Sequence, residues 1–94
     1  MNVEERLAAF YDAISDDARI GASHISLYTA LLLFAPCASK STPTFIYRHR
    51  FSSLAKISRR TFNKCMRDLV ESGYIYYQPS TNSQKGSIFY LNKL

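Results

Sequence analysis

Arg59, Arg60, Asn63, Lys64 and Arg67 fall within nine residues, and no Asp or Glu occurs between Asp17 and Asp68. Arg60, Asn63/Lys64 and Arg67 recur at i, i+3/i+4 and i+7, so on a helix they share one face. Phe62, Cys65, Met66, Leu69 and Val70 take the opposite face. Three cations and one amide on such a helix match the chemistry of a DNA major groove, where Arg can fork onto guanine and Asn onto adenine. Lys64 is a compact point charge better suited to a phosphate. A merely solvated helix face usually mixes signs, whereas acids enter here only at Asp68 and Glu71, in the last turn.

The rest of the chain repeats this segregation. Residues 1–17 hold five acids and one Arg, and sum to −4; residues 18–94 hold eleven bases and two acids, and sum to +9. A basic block beside a short acidic one is the electrostatic footprint expected of a polyanion binder. Catalysis finds little support. There is no phosphate-cradling Gly-rich loop and no Ser/His/Asp arrangement, and Tyr76-Tyr77 lacks the His and Arg partners a tyrosine nucleophile requires. Cys37 and Cys65 lie 28 residues apart, and His24 and His49 are equally scattered. No paired-ligand spacing for a metal results, and no cofactor is expected. Cys65 is expected to fill space on a helix face, with Cys37 in a loop.

Ninety-four residues allow one small domain, burying roughly 60–65% of its unfolded surface. The composition, 47% apolar and 20% charged with three Gly and three Pro, is that of an ordinary globule. The longest apolar run, Ala30–Ala35, is far short of the roughly 20 residues of a spanning helix. With Glu4 and Glu5 in place of a signal-peptide apolar stretch, the expected location is cytoplasmic, without membrane partners.

The elements that must position the basic face can be read from periodicity. Asn2 is a good N-cap and Val3, Leu7, Phe10, Tyr11 and Ile14 recur at helical spacing, which predicts an amphipathic helix over 3–15. Leu27, Tyr28, Leu31, Leu32, Phe34 and Ala35 predict a central core helix from about Ser23 to Ala35, stopped by Pro36. Residues 36–43 read as a loop and 44–47 as a short strand. Phe51, Leu54 and Ile57 predict a two-turn helix over about 48–56. Ser58 then caps a longer helix over 59–72, and Gly73 sits where a C′ glycine belongs. Residues 74–78 and 87–91 read as strands of a hairpin around the polar loop 79–86. Ile75, Tyr77, Phe89 and Leu91 should close the core, leaving Tyr74, Tyr76 and Tyr90 outward.

Two helices joined by a tight turn, the second longer and basic, followed by a hairpin, give the winged helix-turn-helix layout. The expected fold class is therefore α+β, a winged helix-turn-helix with a three-helix core, a β-hairpin wing and an extra N-terminal helix. Residues 1–17 form the acidic amphipathic helix and 18–94 the winged domain. In the wing, Asn82, Gln84 and Lys85 are placed to touch phosphate or reach a minor groove.

The stretch from Ile57-Ser58-Arg59-Arg60-Thr61-Phe62 to Leu69 and Gly73-Tyr74-Ile75 resembles the recognition helix of winged-helix bacterial regulators, most nearly the GntR group. Its pattern there is aliphatic, Ser, Arg, any, Thr, aliphatic, then Leu, three residues, Gly, an aromatic or Leu, and an aliphatic. Residues 23–91 are also similar to small winged-helix proteins of bacterial mobile elements, in which a Lys-Gly-Ser follows the wing loop as Lys85-Gly86-Ser87 does here. The resemblance implies phosphate and base contacts at Ser58, Arg59, Arg60 and Thr61. It implies a small transcriptional regulator or mobile-element accessory factor that binds double-stranded DNA. Asn63 stands where that group usually has Arg. Lys56 stands where the bend often has Gly; a left-handed Lys costs more than Gly, so the turn is expected to be drawn differently. Within these 94 residues there is no room for an effector domain, and no small-molecule effector is expected.

The N-terminal helix is expected to pack on the core. If it also pairs two copies, the DNA site is two half-sites about one helical turn apart. The alternative to a DNA reader is a winged helix used for protein–protein contact, which would depend on exposed aromatics such as Tyr74 or Tyr76 rather than on Arg60.

Overall fold

In the computed structural model, which describes residues 2–81 and 86–94, the Asn2 side-chain oxygen accepts the Glu5 N–H at 2.8 Å. From this cap α1 runs Val3–Ala13. Its apolar stripe points inward: Phe10 is fully buried, and Val3, Leu7 and Ile14 pack around it against the core. The Phe10 ring stacks on Tyr28 at 3.7 Å with the planes 4° apart. The acidic N-terminal helix is thus bound into the same apolar core as the rest of the chain.

Tyr28 belongs to α2 (Ala22–Phe34), whose Leu27, Tyr28, Ala30, Leu31 and Leu32 are buried. The expectation of a central helix holds along that side only. Leu33 and Phe34 are 54% and 51% exposed, and the Arg50 guanidinium lies 6.0 Å from the Phe34 ring. Helix α2 ends at Phe34, just before Pro36, as expected.

The sheet has three antiparallel strands in the order β1-β3-β2, with β1 at Thr44–Ile46, β2 at Ile75–Gln78 and β3 at Ser87–Leu91. Thr44 and Tyr77 flank Phe89 in register. Alternation therefore sends Phe89, Ile75 and Leu91 into the core, all at most 5% exposed. Tyr77 is half-buried, edge-on to Phe62 at 6.4 Å. These four inward positions are the ones expected. On the outer face Tyr76 and Tyr90, cross-strand partners, stack at 4.7 Å.

Tyr74 departs from expectation. It is 7% exposed, meets Phe10 edge-on at 5.3 Å, and donates its hydroxyl to Asp17 Oδ2 at 3.2 Å. Strand alternation does not govern it, because pairing begins only at Ile75. Gly73 (φ +83°) reverses the chain, with Gly73 N–H on Val70 O and Tyr74 N–H on Leu69 O. This double closure at a left-handed C′ residue turns the next side chain back under the helix end.

Helix α3 (Arg48–Ala55) and helix α4 (Arg59–Glu71) are joined through Lys56, Ile57 and Ser58. Here too an expectation is corrected: Lys56 takes the left-handed conformation itself, at φ 60° and ψ 42°. The N–H groups of Lys56 and Ile57 bond Ser53 O and Ser52 O. Those closures, with Ile57 packed on the core, hold Lys56 in a region its side chain disfavours. The Ser26 hydroxyl of α2 further satisfies Ala55 O at 2.6 Å.

Candidate nucleic-acid interface

Helix α4 begins at Ser58, whose Oγ accepts the Thr61 N–H at 3.1 Å and donates to the Thr61 hydroxyl at 3.0 Å. Of the residues singled out by the sequence, Ser58 and Thr61 thus build the helix cap. Phe62, Cys65, Met66 and Leu69 are buried, each at most 1% exposed, which fixes the rotation of α4 about its axis. Val70, counted with that stripe, lies at its margin and is 37% exposed. Arg60, Asn63, Lys64 and Arg67 are all exposed on the opposite side. The structure therefore brings together the four side chains proposed to share a face. Cys65 is buried as expected and burial pushes its thiol pKa up, while Cys37 is exposed.

Arg59 points elsewhere. It lines a small hollow of about 50 Å³ together with Arg48 and His49 of α3, Tyr47, and Ser80, Gly86 and Ser87 at the base of the 79–86 loop. Gly86 has φ +70°, and a Cβ there would lie 3.1 Å from Ile46 O and 3.2 Å from the Tyr47 ring. Glycine is required for β3 to start this close to the β1–α3 junction. The start of α4, the start of α3 and the loop base thereby meet in one basic concavity. Arg48 and His49 were missed at the level of sequence. Their signal was the run Arg48-His49-Arg50, which periodicity had assigned only as a helix start. Lys85, with Asn82 and Gln84, lies outside the described residues.

A polar chain ties the basic face to α2. The His24 ring, 6% exposed, faces Asp68 Oδ2 through Nε2 at 2.8 Å, and its Nδ1 accepts the Gly21 N–H at 3.0 Å. The Gly21 bond requires a bare Nδ1, so the network assigns the neutral tautomer that donates from Nε2 to Asp68. Lys64 Nζ approaches the same carboxylate oxygen at 3.4 Å. The hydrogen bond from His24, with help from Lys64 and against the opposing effect of burial, holds the Asp68 carboxyl below the usual carboxylate range. Asp68 is thereby turned into the protein, and the face of Arg60, Asn63 and Arg67 keeps a net positive charge, with exposed Glu71 at its C-terminal end.

Among the described residues no group of three His, Cys, Asp or Glu side chains could hold a metal ion. No helix among them is long and apolar enough to cross a membrane. No protein-family model, curated protein or solved structure matches the chain.

Proposed function

We propose that this chain is a winged helix-turn-helix protein that binds double-stranded DNA in a sequence-specific manner. In this reading α4 enters the major groove, and the 79–86 loop acts as a wing on the backbone or minor groove. The observation that carries the proposal is the exposed Arg60, Asn63, Lys64 and Arg67 face, held opposite a buried stripe, with Asp68 drawn away by His24 and Glu71 entering only at the helix end. Support also comes from the order of elements and from the hollow in which Arg48, His49 and Arg59 surround the base of the loop. Arg60 and Asn63 are the base readers; Arg59, Lys64, Arg67 and Arg48 hold phosphates.

Selection of duplexes from a randomised pool, followed by binding of single variants to the selected site, tests these roles. Arg60→Ala costs about 1–3 kcal/mol and relaxes one base position, while Lys64→Ala weakens all sequences alike. Equal losses on every sequence from both variants would overturn the assignment.

A second reading, a winged helix that binds protein, is favoured by the outer sheet face, where Phe45 is 60% and Tyr76 38% exposed. It predicts that Phe45→Ser removes function and that Arg60→Glu does not.

A further inference from the structure

A second concavity lies away from the basic helix, between α1, α2, the loop after α2 and the end of β3. It has a volume of about 650 Å³ and its lining includes Arg6, Tyr28, Lys40, Leu91 and Lys93. This size is within the range of small-molecule sites, which are apolar with a few convergent polar groups. Tyr28 and Leu91 are 2% and 5% exposed, so they form the floor, whereas Lys40 and Lys93 are exposed at the mouth. No acid lines it.

The Tyr28 hydroxyl carries the argument further. One face of its ring is covered by Phe10, and the side chain lines the cavity. No hydrogen bond joins the hydroxyl to another described residue, and it is not sealed off from solvent, so the small exposure of Tyr28 includes its hydroxyl, which opens to the cavity. A ligand seated there can take that hydrogen bond in place of water. The Arg6 guanidinium is close enough for its charge to be felt at the phenol. It spends one N–H on Pro36 O at 3.3 Å and retains further donors.

We infer that this cavity binds a small amphipathic organic anion, with an aromatic or aliphatic body on the Tyr28–Leu91 floor. Its carboxylate or phosphate group meets Arg6 and the flanking lysines, and it accepts a hydrogen bond from the Tyr28 hydroxyl. Sequence gave no sign of the site, because its lining comes from four separated segments. It uses no residue of α3 or α4, so it stands or falls independently of the DNA-binding proposal.

The test is calorimetric titration of the full chain with 2-naphthoate, 2-naphthyl phosphate and uncharged 2-naphthol. The expected result is one saturable site for at least one anion, at least about tenfold tighter than for naphthol, the scale of one charge-assisted hydrogen bond. The tighter of the two anions identifies the head group. The Arg6→Gln/Lys93→Gln variant should lower anion affinity by at least about tenfold, leaving naphthol binding and the thermal midpoint unchanged. Tyr28→Phe, which keeps the ring that packs on Phe10, should weaken the anion alone. Absence of binding by both anions, equal binding of naphthol, or anion binding indifferent to these variants would overturn the inference.

Discussion

Replacing Asp68 by Ala removes the acceptor of the His24 Nε2–H, which lies on a side chain only 6% exposed. The stranded donor cannot recover a full hydrogen bond from water, at a cost of about 1–3 kcal/mol. Loss of the exposed i,i+4 pair with Lys64 adds about 0.3–0.5 kcal/mol. The Ala variant should therefore be about 2 kcal/mol less stable at pH 7, a fall in Tm of about 10 °C for a domain of this length. Asp68→Asn leaves an oxygen able to accept from Nε2. It should cost roughly half as much, since a neutral acceptor is about half as strong as a charged one. Urea unfolding followed by circular dichroism measures both. An Ala variant within about 0.5 kcal/mol of the parent, or an Asn variant as damaged as the Ala one, would refute the account of how α4 is tied to α2.

Three further outcomes follow from other parts of the fold. Phe10→Ala should cost about 3–5 kcal/mol in urea unfolding, because the ring is fully buried between Tyr28 and Tyr74; a loss below about 1 kcal/mol would mean that α1 is not part of the core. Lys56→Gly should stabilise by about 0.5–1 kcal/mol, since glycine adopts φ 60° without the Cβ penalty, and no gain in urea midpoint would contradict this. The Asp17 carboxyl is lowered chiefly by the Arg19 hydrogen bond and the Asp68 carboxyl chiefly by that of His24. Lowered folded-state values contribute stability that is present above the unfolded carboxylate value, near about 3.9, and lost as pH falls through the folded ones. Thermal midpoints between pH 2 and 6 should fall on acidification, and Asp68→Asn should fall less steeply; parallel curves would contradict the assignment.

Much of the element order was legible in the residues because periodicity and caps agreed. Asn2, Ser58 and Gly73 mark the ends the chain adopts, and the buried stripe of α4 dictates which of its side chains face water. What escaped depends on tertiary geometry. Tyr74 looked like an outward strand residue because alternation was extended one position past the start of pairing, where the left-handed Gly73 redirects the chain. Lys56 was expected to avoid the left-handed region because intrinsic preference was weighed without the closures to Ser52 and Ser53. Arg48 and His49 join Arg59 only because Gly86 lets β3 begin against the β1–α3 junction. The His24–Asp68 bond, 44 residues apart in sequence, has no local signature at all.

The most direct measurement is fluorescence anisotropy of a mixed-sequence duplex titrated with the protein at 50 and 200 mM salt, beside the Arg59→Ala/Arg60→Ala/Lys64→Ala variant. With Arg48, Arg59, Lys64 and Arg67 each neutralising one phosphate, the logarithmic salt slope is about −3.6, and affinity falls about 150-fold across that interval. The triple variant, stripped of two phosphate contacts and a base reader, should show little binding at the lower salt and a shallower slope. No binding by the parent at 50 mM, or binding that neither salt nor the triple variant changes, would contradict a DNA-reading function for α4.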